Sequence, residues 1–214
     1  MRRQRAGYIS VARLDSPRAG AYRPGREVDR IWYLLDCCGE EEQEVVRQCR
    51  KRATGDILEA AWILKCQKQL RYQGEWHVAE RNLFPGYVVL SVPDGPESIN
   101  PLEEMLGRLF PESREERNGR LHAIGRVSRE NLLGLCGGST VIRMSRGRIC
   151  GGSLVVTGGP LTGHEQSIRK IDRHKRIAWV EMPGEDRKAD GIKEADVLQR
   201  ICVGLEVYEK HMQD

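Results

Sequence analysis

The sequence changes in composition around Cys136–Ser153, and this change constrains the fold more than any other feature. The segment contains five glycines. The chain before it alternates apolar runs with helical patterns, and the chain after it holds only short apolar runs between turn residues. Such a shift marks a domain boundary, and 214 residues are enough for two small domains. We therefore predict one unit at 30–137 and a second at 153–206, joined by a linker at 138–152.

Strand patterns in the first unit come from two compact apolar runs and one alternating stretch. The runs Ile31–Asp36 and Val88–Val92 each predict a buried strand. The chain between them alternates and turns at Gly74, which predicts a hairpin of Ala60–Tyr72 with Glu75–Glu80. We expect these strands to form one antiparallel sheet.

Three amphipathic patterns in the same unit predict helices. The first runs from Glu40 to about Arg52, with acidic residues in its first turn and basic residues toward its end, as the helix dipole favours. Pro101–Leu109 carries apolar residues at helical spacing, and Ser128–Leu135 begins with Ser128, a residue type that caps helices. Strands alternating with helices predict an α/β sandwich with the helices on one sheet.

The second unit contains only short strand patterns and turns. The predicted strands are Leu154–Thr157, Gln166–Asp172, Ile177–Glu181, Gly191–Ile192 and Leu198–Cys202. Five short strands in so few residues are typical of an SH3-like barrel. The two units together predict an α+β protein.

Charge is distributed unevenly, although the net charge is only +4. Residues 1–30 and 142–182 each contain eight basic residues against three acidic ones. Segregation of this kind suggests nucleic acid or an acidic protein as a partner. Residues 1–29 contain few large apolar groups, which predicts a flexible basic arm. A solvated tail, an RNA contact and an incorrectly chosen start codon all remain open for this arm.

Several function classes are disfavoured. No apolar run has the length of a membrane span and no signal peptide is evident, so we expect no membrane contact and a cytoplasmic location. Seven cysteines without a C-x-x-C pair predict reduced thiols, no metal and no cofactor. The glycines of Gly158–Glu165 are not followed by Lys-Ser or Lys-Thr, His164 lacks a second zincin histidine, and Cys136 with His122 lacks a third partner. We therefore do not expect an enzyme.

Three motifs in order resemble the NusG family of transcription elongation factors. They are the strand Trp32-Tyr33-Leu34-Leu35 followed by a Glu-rich helix, then Phe84-Pro85-Gly86-Tyr87-Val88-Val89, and then Val155-Val156-Thr157-Gly158-Gly159-Pro160-Leu161-Thr162-Gly163, which looks like the start of a KOW motif. Their order and separation match the family across residues 31–202. The stretch Ile171–Ala178 is most similar to the LoaP subgroup. The resemblance implies a processive antiterminator that contacts the clamp region of RNA polymerase and a leader RNA hairpin, and we expect a monomer.

Three positions depart from the family pattern. Gln166 stands where a KOW motif normally has glycine, and Leu161 stands where general NusG proteins carry phenylalanine. Met182-Pro183-Gly184 replaces a Phe-Gly-Arg segment. The resemblance implies that those aromatic residues serve contacts with Rho and the ribosome. Their absence favours a specialised antiterminator over a general elongation factor.

The predicted RNA-binding residues lie mostly in one hairpin of the second unit. If Ile168 and Ile171 face the core, Arg173–Arg176 becomes an exposed tip whose cations can neutralise phosphates. The full set is Arg169, Lys170, Arg173, His174, Lys175 and Arg176, with Arg146 and Arg148 from the segment before the barrel. A solvated charged turn is the alternative.

The resemblance implies that the residues that bind polymerase lie in the first unit. Trp32, Tyr33, Phe84 and Tyr87 are aromatic residues near the strand edges, and core packing is the alternative role for at least two of them. By analogy with the family, Arg71 and His77 on the hairpin would reach the opposite side of the polymerase. Two other functions stay open: a general elongation and pausing factor whose KOW domain binds proteins, and a ribosome-associated KOW protein that binds RNA.

Overall fold

The computed structural model describes residues 30–53, 55–110, 121–183 and 196–208. Within these ranges the chain forms three α-helices and twelve β-strands arranged in three sheets. The α+β class predicted from the sequence is therefore confirmed. No helix in the same ranges combines the length and the apolar character needed to cross a bilayer. The predicted arm at 1–29 and the predicted strand Gly191–Ile192 lie outside the described residues.

The central sheet has the strand order β2-β5-β1-β6, with antiparallel pairing throughout. Its strands are β1 (Arg30–Asp36), β2 (Ala60–Trp62), β5 (Tyr87–Pro93) and β6 (Leu121–Ile124). Side chains of β1 alternate between two separate apolar clusters: Trp32 and Leu34 join one, and Leu35 joins the other. The apolar runs therefore form buried strands, as predicted, because both faces of the sheet are covered.

Helices α1 (Glu42–Arg52), α2 (Pro96–Leu109) and α3 (Arg126–Cys136) cover this sheet. Apolar residues of α1 and α2 pack into the cluster that contains Leu35. Apolar residues of α3 pack instead into the cluster that contains Trp32. The three helices therefore do not all pack on one face of β1. Helices α1 and α2 contribute to the cluster on one face, and α3 contributes to the cluster on the other face.

Two helix boundaries differ from the prediction. Helix α2 starts at Pro96, earlier than predicted, and Pro101 lies inside it. The proline removes one backbone N–H from the helix, and the burial of Ser98 and Leu102 stabilises the helix despite this loss. Ser128 is not a cap: it lies inside α3, is 1% exposed, and donates a hydrogen bond to the Pro183 carbonyl at 3.4 Å. A contact distant in sequence thus decides its role.

The hairpin sheet has the order β4-β3-β7 and consists of β3 (Lys65–Tyr72), β4 (Glu75–Asn82) and β7 (Val141–Ile142). The predicted turn is present, with φ of 50° at Gln73 and 86° at Gly74, values that suit a two-residue loop. The predicted strand Ala60–Tyr72 is divided instead. Its first part pairs with β5, and its second part pairs with β4.

The C-terminal sheet has the order β10-β11-β12-β8-β9. Its strands are β8 (Ser145–Cys150), β9 (Ser153–Gly158), β10 (Ile168–Asp172), β11 (Ile177–Glu181) and β12 (Arg200–Tyr208). Pairing is antiparallel except between β12 and β8, which run parallel. The span of β11 matches its prediction, whereas residues 165–167 form a 3-10 helix and β12 is longer than predicted.

The segment 138–152, predicted as a linker, contains β7 and β8. The glycines of this segment allow tight turns and close strand packing, and do not indicate a flexible linker. Gly151 and Gly152 form the tight turn between β8 and β9 with φ of 55° and 81°, and a Cβ at Gly147 would lie 2.9 Å from the Val155 carbonyl oxygen. A glycine-rich composition therefore marks close strand packing here.

The hairpin sheet also packs against the C-terminal sheet. Strand β3 crosses β12 so closely that a Cβ at Gly204 would overlap the Gln67 carbonyl oxygen and the Met144 sulfur. The Cys66 thiol lies 3.6 Å from the Cys202 carbonyl oxygen. Buried residues from both parts of the chain, from Trp32 to Leu205, belong to one continuous apolar cluster. The two predicted units are therefore joined by a shared core.

Candidate nucleic-acid interface

Strands β10 and β11 form a hairpin that presents the predicted basic tip. Ile168 and Ile171 pack against the apolar cluster, which confirms the orientation assumed in the prediction. Arg173, His174 and Lys175 are exposed in the turn. We call residues Arg173–Arg176 the basic turn. Such a turn exposes two cationic side chains and one imidazole ring to solvent together.

Two features fix the shape of the basic turn. The Asp172 carboxylate accepts a hydrogen bond from the backbone N–H of Lys175 at 2.9 Å. Arg176 has φ of 54°, and its carbonyl oxygen accepts a hydrogen bond from the Leu205 N–H at 2.9 Å. The turn is thus tied to the neighbouring strand β12 by the backbone.

Arg176 points away from the exposed end of the turn. Its guanidinium donates to the Glu206 carboxylate at 2.7 Å and to the Gln69 amide oxygen, and it lies 4.2 Å from the centre of the Trp76 ring. Glu206 belongs to β12, whereas Gln69 and Trp76 belong to the β3–β4 hairpin. The prediction placed Arg176 with the other exposed cations. In the structure its side chain instead connects the β10–β11 hairpin to the β3–β4 hairpin.

Arg169 and Lys170 lie on the edge strand β10, apart from the turn. Arg169 forms an ion pair with Glu181 on β11. The Lys170 ammonium lies 5.0 Å from the centre of the Trp179 ring. The sequence reasoning did not single out Trp179, although alternation along Ile177–Glu181 separates it from the buried Ala178 and Val180 and so signals an outward position.

Strands β9 and β10 are the two edges of the C-terminal sheet, and a cleft of about 410 Å³ lies beside them. The cleft is lined by Ser153, Leu154, Glu165, Gln166, Ile168, Arg169, Lys170 and Ile171. Glu165 uses one carboxylate oxygen to accept a hydrogen bond from the Val156 N–H at 3.2 Å. This bond satisfies a backbone donor of the edge strand.

Two of the three departures from the family pattern, Gln166 and Leu161, have simple local roles. Gln166 lies in the 3-10 helix, and the positive φ values of this loop occur at Gly159 and Gly163 instead, so the conformation at 166 does not require glycine. Leu161 is fully buried, and its N–H donates a hydrogen bond to Ser145 Oγ at 3.1 Å. An apolar core position is thus filled without an aromatic ring.

Arg146 and Arg148 project from β8 toward the outer side of the C-terminal sheet. Arg146 Nε lies 3.7 Å from the Glu206 carboxylate, the same group that accepts from Arg176. Arg148 pairs in register with Tyr208 of β12. The structure therefore brings Arg146 and Arg176 together at Glu206, while Arg169 and Lys170 remain on the far edge of the sheet.

The predicted polymerase-binding aromatics do not form one surface. Trp32 is 4% exposed and Phe84 is 2% exposed, and Trp32 packs edge-on against Trp62 at 4.9 Å between ring centres. Tyr33 is half-buried at the other cluster, where burial first, and then Asp94, raises its pKa.

Tyr87 is half-buried, and its ring centre lies 6.5 Å from that of His122. Burial, followed by the nearby charge of Asp36, raises its pKa. Core packing therefore accounts for Trp32 and Phe84, as the alternative reading held, and leaves Tyr87 partly accessible.

Arg71 and His77 are exposed on the β3–β4 hairpin but lie on opposite faces. Arg71 pairs with Trp76, whereas His77 pairs with Leu70, and neighbouring positions of a strand point to opposite sides. The His77 ring centre is 6.3 Å from that of Tyr72. A single flat partner cannot cover both residues, so any joint contact must surround the hairpin.

Four of the seven cysteines are buried. All seven are reduced, and burial raises the pKa of Cys37 to about 12 and those of Cys49 and Cys136 to about 11. These three thiols are protonated at neutral pH and poorly nucleophilic. Among the described residues, no group of three or more His, Cys, Asp or Glu side chains is placed to hold a metal ion.

Comparison with models of known protein families and with curated proteins found no match.

Proposed function

We propose that this chain is a specialised NusG-type transcription elongation factor that acts as a processive antiterminator. In this proposal the central sheet and its helices bind RNA polymerase, and the C-terminal sheet is a KOW barrel that holds a leader RNA hairpin. The observation that carries the RNA-binding part is the basic turn, which exposes Arg173, His174 and Lys175 together.

The arrangement of elements supports the proposal. A four-stranded antiparallel sheet with helices precedes a five-stranded sheet of short strands, which is the order expected of a NusG N-terminal sandwich followed by a KOW barrel. Phe84-Pro85-Gly86-Tyr87 leads directly into β5, and the glycines after β9 form its following turn. The motif Trp32–Leu35 lies inside β1, and the other two motifs lie where a strand begins or ends.

The chemistry of the basic turn suits a structured RNA. Cations that replace counterions at phosphates supply affinity with little sequence choice, and an arginine fork can also hold a phosphate or a base edge through two bonds. Side chains cannot read the deep major groove of regular A-form RNA, so a distorted loop or bulge is the favoured target. A short turn fixed by Asp172 and β12 can enter such a site with little loss of conformational entropy.

Tethering explains why modest RNA affinity is sufficient. When one part of the chain is bound to polymerase, the other part meets the nascent transcript at a high effective concentration. On the polymerase side, a partner reaches the buried Trp32 and Phe84 only if the packing around them opens. Tyr87, Arg71 and His77 are accessible without such a change.

The RNA-binding part is tested with the full chain and a structured leader RNA hairpin. The variant Arg173→Ala/Lys175→Ala removes two exposed cations of the turn. The control Lys51→Ala/Arg52→Ala removes the same charge from the exposed end of α1. We expect the turn variant to bind more weakly by at least several-fold while the control binds like the wild type, because two phosphate contacts are lost. Equal affinities for all three proteins would refute the assignment of the turn.

The polymerase-binding part is tested by co-purification of core RNA polymerase with the full chain. Phe84→Ala is unsuitable, because removing a buried ring costs about 3–5 kcal/mol of stability. Tyr87→Ala and His77→Ala change accessible residues instead, and Lys51→Ala again serves as the control. Loss of polymerase with the first two variants supports the proposal, and retention with both excludes this surface.

A further inference from the structure

The outer side of β12, β8 and β9 carries a row of side chains that the proposed RNA hairpin contact does not use. In register, Tyr208 of β12 lies beside Arg148 of β8, and Arg148 lies opposite Val155 of β9. Tyr208 is 44% exposed and Val155 is 39% exposed, whereas Val156 on the other side of β9 is buried in the core. This row therefore faces away from the core. We call Arg146, Arg148, Val155, Thr157 and Tyr208 the outer face.

Tyr208 lies along this face rather than upright on it. Its hydroxyl is 3.1 Å from the Thr157 hydroxyl, although Thr157 is on β9 and strand β8 separates the two. Neighbouring strands are about 4.8 Å apart, so a tyrosine side chain spans that gap only by extending across β8. The result is an exposed aromatic ring held in place by a hydrogen bond at its far end.

The charges beside this ring favour an anionic partner. Arg146 and Arg148 both project from β8, and the Glu206 carboxylate lies 3.7 Å from Arg146 Nε. Glu206 is shared, because it also accepts a hydrogen bond from Arg176 at 2.7 Å. Arg148 Nε is shielded from solvent and has no hydrogen-bond partner among the described residues. Together with Arg176, the two arginines outnumber this single carboxylate, so the net charge around Glu206 is positive.

Building on the function proposed above, we propose that the outer face binds an unpaired segment of the same RNA, adjoining the hairpin. One base stacks on Tyr208, and Arg146 and Arg148 contact the phosphates on either side. An exposed ring is available to any unstacked base, whereas the bases of a duplex are already stacked on each other. Glu206 connects Arg146 to Arg176 at the base of the basic turn, so the outer face and the turn are continuous.

The test compares two RNA probes by fluorescence anisotropy with the full chain. One probe is a blunt hairpin, and the other is the same hairpin with unpaired extensions of about eight nucleotides on both strands, within the site sizes of single-strand binders. We expect the wild type to bind the extended probe more tightly by between about 5-fold and 150-fold, the range for stacking one base on an aromatic ring.

Four variants locate the residues responsible for this gain in affinity. Tyr208→Ala should abolish the preference for the extended probe and leave affinity for the blunt hairpin unchanged. Tyr208→Phe keeps the ring and should retain most of the preference. Tyr72→Ala removes an exposed tyrosine from the β3–β4 hairpin and should change neither affinity. Arg148→Gln should reduce the preference without loss of the ring, which keeps the test decisive if Tyr208→Ala proves unstable.

Failure of this inference is distinguishable from failure of the proposed function. Equal wild-type affinity for both probes, or a Tyr208→Ala variant that keeps the preference, overturns the outer-face site while hairpin binding stands. Absence of binding to either probe overturns both. If Tyr208→Ala keeps the RNA preference but loses antitermination, the face binds a protein and the inference is wrong.

Discussion

Replacing Gly204 with alanine should weaken the packing between the hairpin sheet and the C-terminal sheet. Gly204 lies in β12, where an added Cβ would overlap the Met144 sulfur and the Gln67 carbonyl oxygen. The methionine side chain can move aside. The carbonyl cannot, because it belongs to β3, which pairs with β4 on one side and β7 on the other. The substitution therefore displaces a strand and not a single side chain.

The size of the effect follows from two opposing contributions. Alanine in a strand is favoured over glycine by roughly 0.5–1 kcal/mol when space is available. Overpacking against a fixed neighbour costs about 1–3 kcal/mol, and a carbon requires roughly 3.3–3.6 Å from a carbonyl oxygen. Because the added Cβ would overlap a backbone carbonyl that cannot move aside, the cost lies at the upper end of this range, and we expect a net loss of about 2 kcal/mol. For a chain of 214 residues this corresponds to a decrease in Tm of about 4–8 °C.

Thermal and urea unfolding measure this loss, with Gly134→Ala as the matched control. Gly134 lies in α3, and a Cβ there would meet nothing within 4 Å among the described residues. That variant should be more stable than the wild type by about 1 kcal/mol, because alanine is the better helix former. If Gly204→Ala melts at or above the wild-type temperature, the close approach of β3 to β12 is wrong.

Three further predictions concern single residues. Arg176→Ala should lower the free energy of unfolding by about 1–3 kcal/mol through loss of its charged hydrogen bonds and ring contact, whereas Lys175→Ala should change it by less than about 0.5 kcal/mol in urea unfolding. The Gly86 N–H lowers the pKa of Glu42, so the stability from this group is present above the usual pKa of 4.5 and is lost as pH falls below it; Glu42→Gln should flatten that acid limb in unfolding measured against pH. At pH 8 a thiol reagent should label exposed Cys38 and spare neighbouring Cys37, whose pKa of about 12 keeps it protonated, as peptide mass spectrometry would show.

Strands were predictable where the local sequence decides burial. The run Ile31–Asp36 is apolar enough to be covered on both sides, and it forms β1 with one added residue. The turn at Gly74 followed from the conformational freedom of glycine. Strand β11 matched its prediction because its apolar residues alternate between turn residues. In each case the deciding interaction is local or depends only on hydrophobicity.

The remaining differences arise from contacts between distant parts of the chain. Ser128 has the chemistry of a cap, but burial beside Pro183 decides its position inside a helix. The glycines of 138–152 resembled those of a linker, because a sequence does not reveal that Gly147 faces a neighbouring strand. In the sequence, Arg176 is part of a run of charged residues that predicts exposure. Its partner Gln69 lies 107 positions earlier, so the sequence does not reveal their contact.

The candidate site was predictable only in part for the same reason. Arg173, His174 and Lys175 are exposed as predicted, because Ile168 and Ile171 direct the hairpin by their hydrophobicity. Tyr208 was missed, because its importance comes from a partner on another strand. An aromatic residue in an alternating strand, on the polar side, is the signal that would have identified it.

The salt dependence of RNA binding tests the central claim most directly. For the wild type, the logarithm of the association constant for the structured RNA should fall steeply with the logarithm of salt concentration. Each phosphate contact contributes about 0.7–0.9 to the slope, so Arg173→Ala/Lys175→Ala should reduce its magnitude by about 1.4–1.8 while Lys51→Ala/Arg52→Ala leaves it unchanged. Identical slopes for the wild type and the turn variant would contradict the assignment of RNA binding to the basic turn.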